Sequence, residues 1–404
     1  MMVLNNLRAI EGMEPLRIGI RGERIAFIAA GGSASGDSPA NASADSSRGP
    51  RRTSGGPTLD LDGALVFPGL VNSHDHLEFN SFPALGHEQY PNYVEWGTRI
   101  HDACREDIDR VLRIPPALRV QWGLYKNLLG GVTTVVHHGP AFPLEDPCIE
   151  VHRAQSIHSV QLEPRWRQRL NNPLQWGRPC VIHIGEGTDA GASREIDRLT
   201  RWNALKRPLV GVHGVAMTTG QAERFKALVW CPQSNFFLLG RTARVDQLGR
   251  YTDLLFGTDS TLTGDWNIWD HLRSARETGL ATDAGLFDML TRTPAEVWEL
   301  PGGAILPGRA ADLTVARPAR GKSGWDAFYA LDPEDIELVI RSGRVCLADG
   351  RWRAELEASG HSFEGWSRIR IGDRDKYVPG DLPGLARRIL HYDQKAYFPF
   401  ICPS

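Results

Sequence analysis

The 404-residue chain has no charge imbalance: 46 lysines and arginines face 48 aspartates and glutamates, a formal net charge of -2. That argues against an electrostatic footprint for nucleic acid or for an anionic membrane surface. A cysteine framework is missing too. Cys104, Cys148, Cys180, Cys231, Cys346 and Cys402 are scattered with no Cys-x-x-Cys pair, so neither disulfide staples nor a cysteine zinc site is indicated, and a reducing cytoplasm is the expected location. No uninterrupted apolar run approaches membrane length, and Met1 to Asn6 open no charged-then-apolar leader. At 41% hydrophobic and 23% charged residues, the composition is that of a globular enzyme with room for one large core and a smaller domain.

Against this neutral background five segments stand out, each an apolar run of strand length that ends in polar residues opening a loop. Their ends are Asn72-Ser73-His74-Asp75-His76, His183-Ile184-Gly185-Glu186, His213-Gly214, Cys231-Pro232-Gln233-Ser234-Asn235 and Gly257-Thr258-Asp259-Ser260. Reactive side chains at the carboxyl ends of successive parallel strands are how a (β/α)8 barrel builds its site. On an extended strand, residues i and i+2 share a face, so His74 and His76 can point inward together while Asp75 points away. His183 offers a third nitrogen and Asp259 an oxygen, a donor set that suits zinc or another borderline divalent metal. Gly185 lets the chain turn at once after His183, so that Glu186 can swing back toward the same point. Taken singly, Glu186 could merely cap a helix, Asp259 open an Asx turn, and His213 be a satisfied core histidine. Their joint order favours a site.

This ordered set resembles the amidohydrolase superfamily, in the branch of cytosine, guanine and adenosylhomocysteine deaminases and triazine hydrolases. The resemblance runs nearly the whole chain, as far as Pro307-Gly308-Arg309-Ala310-Ala311-Asp312-Leu313-Thr314-Val315. It implies metal ligation by His74, His76, His183 and Asp259, proton transfer by Glu186, and contact with the attacking water by His213, with Asp259 also acting in catalysis. Relatives with two metals bridge them with a carboxylated lysine on the fourth strand, and residues 139–181 hold no lysine. One divalent cation is therefore implied, zinc foremost, with iron(II) or manganese(II) as alternatives. Sequence leaves open a carboxylate bridge from Glu145, Glu150 or Glu163.

The implied activity is hydrolysis of a carbon-nitrogen bond other than a peptide, by deamination of a planar heterocyclic amine. The same residues would serve a cyclic amide, an acyl amine or a halogenated heterocycle, and an inactive scaffold of this fold is the reading from another class. Partners are a small molecule, with neither nucleic acid nor membrane expected; a homodimer stays open.

The expected architecture is α/β: a barrel over 64–300, a small β-sandwich domain built from 1–63 and 301–350, and an extension over 351–404 without an assigned role. Residues 31–56, dominated by Gly, Ser, Ala, Asp and Pro, read as a flexible insertion. About forty residues separate His138 from Val181, where two βα units need roughly sixty or more, so the barrel is expected to be contracted around its third and fourth strands. Of the adjacent His137 and His138 only one can face inward. His158 is a weaker candidate for substrate contact, Cys231 an inert buried thiol, and Tyr90, Tyr93 and Trp96 either a substrate lid or a fastening for their loop.

Overall fold

A computed structural model describes residues 1–12, 14–31 and 58–403. The insertion expected over 31–56 therefore lies, from residue 32 onward, outside the described residues. In chain order the strands are β1 (Met2–Arg8), β2 (Leu16–Arg21), β3 (Arg24–Ala30), β4 (Thr58–Pro68), β5 (Leu70–Asp75), β6 (Val132–His137), β7 (Glu150–His152), β8 (Gln155–Ser159) and β9 (Cys180–Ile184). They continue as β10 (Leu209–His213), β11 (Ala227–Trp230), β12 (Asp253–Phe256), β13 (Leu313–Ala316), β14 (Ile336–Arg341), β15 (Arg344–Asp349), β16 (Trp366–Ile371) and β17 (Arg374–Pro379).

β5 to β12 are the parallel strands expected of the barrel, arranged as a three-stranded and a five-stranded sheet. β5, β6 and β7 pair in parallel, as do β8 to β12 in sequence order. Only Arg153 and Ala154 separate β7 from β8, so these are two halves of one extended run: the first half pairs with β6 and the second with β9. A single stave thus does the work of two, and the contraction falls where the short spacing puts it. The remaining seam is tied by the Asp259 N–H donating to the His74 carbonyl at 3.0 Å. Below it, Val71 N–H donates to Leu290 O at 2.8 Å and Phe256 N–H to Met289 O at 3.1 Å. β5, β6, β9 and β10 are buried along their whole length, as parallel strands covered on both faces must be. Inside the ring, Val71, Val136, Val181, Val229 and Leu255 form one apolar cluster beneath the histidines, with Trp298 against it.

The other strands make one nine-stranded sheet in the order β16-β17-β15-β14-β13-β4-β1-β2-β3, so both chain ends contribute, and β4 runs across the 63/64 boundary directly into β5. Leu4, Ile18, Leu61, Val66, Leu313 and Ile340 share its core. Residues beyond 350 belong to this framework: the wholly buried Lys376 of β17 donates to Ile336 O and to Asp349 Oδ2 at 2.6 and 2.8 Å. Near the carboxyl end Phe398 packs edge-on against Trp122, in the helix Pro116–Leu129 that covers β5 and β6. Among the described residues no helix is long and apolar enough to cross a membrane.

Candidate metal centre and active site

The carboxyl ends of β5, β9, β10 and β12 converge. His74 is wholly buried and His76 nearly so, and their rings meet edge to face with centres 5.0 Å apart. Asp75 points the other way, toward the helix Pro116–Leu129. It accepts from Asn127 Nδ2 at 2.7 Å, from Asn80 Nδ2 at 2.8 Å and from Lys126 Nζ at 3.1 Å. His183 Nδ1–H donates to the His158 carbonyl at 2.7 Å, which leaves the Nε2 lone pair free. That Nε2 lies 3.2 Å from Nε2 of both His76 and His74. Two nitrogens about 2.0–2.1 Å from one cation at tetrahedral angles stand about 3.3 Å apart, so His183 has the separation of a ligand on a common ion from each of the other two imidazoles.

Asp259, with φ 56°, carries its Oδ1 to 3.6 Å from His74 Nε2 and 3.7 Å from His76 Nε2. Its Oδ2 accepts from Ser234 Oγ at 2.9 Å and Thr263 Oγ1 at 3.2 Å. Burial opposes its charge, yet His74, His76 and His213 around it hold the carboxyl well below its ordinary range. Burial, reinforced by neighbouring imidazoles, holds His76 and His183 well below the usual imidazole range, which keeps them neutral as metal ligation requires. The donor set of three neutral imidazoles and one carboxylate fits zinc.

Glu186 follows Gly185, whose φ of 61° makes the turn read from the sequence. The Gly185 N–H donates to Glu195 Oε1 at 2.9 Å, a tie from the helix Ala190–Trp202 that fixes the turn. Glu186 is buried, with Oε2 3.6 Å from His213 Nε2. Burial first, then Asp259 and Glu195, push its carboxyl well above the ordinary range. His213 Nδ1–H donates to Asn235 Oδ1 at 2.8 Å, which aims Nε2 at Glu186 and at Asp259 Oδ2, 4.0 Å away; burial lowers its pKa to about 4.

All six residues selected from sequence therefore meet at one place. Not foreseen were the groups that hold them: Asn235, Ser234, Thr263, Glu195, the His158 carbonyl, and the Lys126–Asn127–Asn80 set behind Asp75. The Ser234-Asn235 pair lay in a strand-end segment singled out beforehand, and that was the available signal. None of the three glutamates left open as a bridge belongs to the cluster: Glu150 pairs with Arg341, Glu163 with Arg169, and Glu145 is exposed.

Above the cluster is a cavity of about 360 Å³. Tyr93 and Trp96 line it, whereas Tyr90 packs on Leu238 and Leu239 and fastens the loop. Phe79, Phe82, Leu112 and Leu162 complete the apolar wall, and His158 presents its ring there. Cys231 is fully buried and burial pushes its thiol up, so it stays inert. A larger cavity of about 690 Å³, beside Arg341 and Arg344, contains none of these residues; the chemistry points to the smaller one.

No family model matches the chain. A 5-methylthioadenosine/S-adenosylhomocysteine deaminase of Nitratidesulfovibrio vulgaris is 25% identical over 367 residues, covering 73% of this chain and 82% of the relative. Among solved structures, atrazine chlorohydrolase from Arthrobacter aurescens in complex with zinc superposes with a TM-score of 0.62 at 19% identity, over 86% of this chain and 95% of that one. A zinc-bound adenosine deaminase from Xanthomonas campestris gives 0.63 at 16% identity, over 89% and 97%. At such identities the structural likeness is one of fold. In its ordered motifs and in its fold, the chain resembles the amidohydrolase superfamily, in the branch of heterocycle deaminases and triazine hydrolases.

Proposed function

We propose that this protein is a metal-dependent hydrolase of carbon-nitrogen bonds other than peptides, and that it deaminates an uncharged heterocyclic amine in the reducing cytoplasm. The observation that carries this is the placement of His183 Nε2 at 3.2 Å from Nε2 of both His74 and His76, beside Asp259 and a buried Glu186 whose carboxyl burial raises well above its ordinary range.

The divalent cation, when bound by His74, His76, His183 and Asp259, supplies Lewis acidity that brings the ionisation of water near neutrality. Glu186 takes a proton from the attacking water and delivers it to the ring nitrogen next to the reacting carbon. His213, held by Asn235, accepts from that water and keeps it in line. Oxygen adds to the carbon, Glu186 takes the remaining proton from the new hydroxyl and passes it to the leaving amine, the carbon-nitrogen bond breaks, and ammonia departs from a ring that has become a lactam.

The cavity wall supports the substrate class. Phe79, Phe82 and Trp96 line the cavity as aromatic surface for a planar ring, and among the described residues no lysine or arginine lines it to neutralise a phosphate or carboxylate. The relatives above are named for deaminating adenosine or its thioether derivatives and for dechlorinating a triazine. The test is a panel of aminated heterocycles given to zinc-loaded and to metal-free protein. Ammonia release that depends on metal supports the proposal. Chloride release from halogenated rings with no ammonia from any amine would replace deamination by dehalogenation, and no turnover by fully loaded protein would overturn both.

A further inference from the structure

The mechanism leaves one interior imidazole without a task. His138 follows Val136 by two residues at the end of β6, and Val136 points into the barrel's interior cluster, so His138 lies on the inward face one layer higher. It is 4% exposed. Its ring centre is 4.3 Å from that of His183, 5.1 Å from His74 and 5.3 Å from His76. Both of its ring nitrogens are buried and, among the described residues, without a hydrogen-bond partner. Its neighbour His137 faces outward and is satisfied, with Nε2 3.1 Å from the Pro140 carbonyl. The proximity follows from the contracted ring: with one stave between β6 and β9, the end of β6 is brought against His183.

A buried imidazole with neither nitrogen paired is unfavourable, and an apolar side chain would fill such a position at lower cost. Its presence asks for a partner that is not a protein group, and the histidines around it converge on a cation position.

We propose that His138 is a fourth imidazole of the metal centre, giving one ring nitrogen to the cation shared by His74, His76, His183 and Asp259. This rests on the assignment of that cluster as a cation site. With water the coordination number rises to six, which iron(II) and manganese(II) adopt readily and zinc in four-ligand sites does not.

The test uses the full-length protein, stripped with a chelator and reloaded. Affinity for Zn2+ is measured by competition with a chromophoric chelator for wild type, His138→Phe and His138→Gln, and the Co2+ forms are compared by visible absorption. Loss of affinity of at least about tenfold in both variants is expected, with no loss of thermal midpoint for metal-free His138→Phe, since that change removes two unpaired nitrogens. Wild-type Co2+ protein should show the weak bands of six-coordination, strengthening in the variants. Affinity unchanged to within about twofold, or intense tetrahedral bands in the wild type, would overturn the proposal. The wild-type spectrum decides even if a variant does not fold. A wild type that binds no metal at all would instead remove the cation site itself.

Discussion

Replacing Lys126 by methionine isolates the support beneath the two histidines at the carboxyl end of β5. The Lys126 side chain is 2% exposed and that of Asp75 is 0%, and they pair at 3.1 Å. Lys126 also donates to Asn80 Oδ1 at 2.8 Å. Methionine keeps the stem and removes the charge, leaving Asp75 buried with the amides of Asn127 and Asn80 as its remaining close donors. Removing one partner of a buried pair costs about 3–5 kcal/mol, and the two retained amides place the expected value near the lower end, about 3 kcal/mol. Against a typical total of about 5–15 kcal/mol this is a large loss, readable as a lower urea midpoint for the metal-free protein. Asp75→Asn combined with Lys126→Met removes both charges and should recover most of it, giving a coupling of about 2 kcal/mol or more in the double-mutant cycle. Because Asp75 sits between His74 and His76, metal affinity should fall in the single variant as well. A loss below about 1 kcal/mol, with no recovery in the double variant, would refute the argument that this pair braces the site.

Elemental analysis of wild type should find about one equivalent of divalent metal per chain and His74→Ala should lose it; two tightly held equivalents in wild type would contradict the single-cation site. Gly185→Ala should lower stability by about 1–2 kcal/mol in urea melts, because alanine at φ 61° is strained and its Cβ would meet Ile196 Cδ1 at 2.9 Å. The Glu195 carboxyl is pushed by burial from 4.5 up to about 7, despite the Gly185 N–H and Tyr93 hydroxyl that favour its charge. A raised pKa contributes stability that is complete below about 4.5 and lost as pH rises through about 7, a difference on the order of 3 kcal/mol. Glu195→Gln should therefore flatten the pH dependence of the thermal midpoint between pH 5 and 8, and an unchanged slope would show that Glu195 is not its source.

The ligands were legible in the sequence because a strand dictates where i and i+2 point, which places His74 and His76 on one face and Asp75 on the other. The shortened ring was legible as well, since chain length between His138 and Val181 is a hard limit. The supporting groups were not. Asn235 and Ser234 reach His213 and Asp259 from the turn of a helix, and Lys126 reaches Asp75 across 51 positions of sequence; such pairings depend on how elements pack and leave no local periodicity. Histidine pairs are ambiguous in the same way: alternation on β6 says that one of His137 and His138 faces inward, but only the packed ring shows that His138 stands against three others.

The central claim is that Glu186 carries protons at a site whose cation is held by other residues. Its most direct test is Glu186→Gln, with metal content measured beside turnover of a heterocycle identified in the panel. Full metal, an intact fold and turnover lower by about a hundred- to ten-thousand-fold are predicted, with His213→Asn affected in the same sense but more mildly. Turnover at the wild-type rate in a fully loaded Glu186→Gln protein would contradict the account at its most important residue.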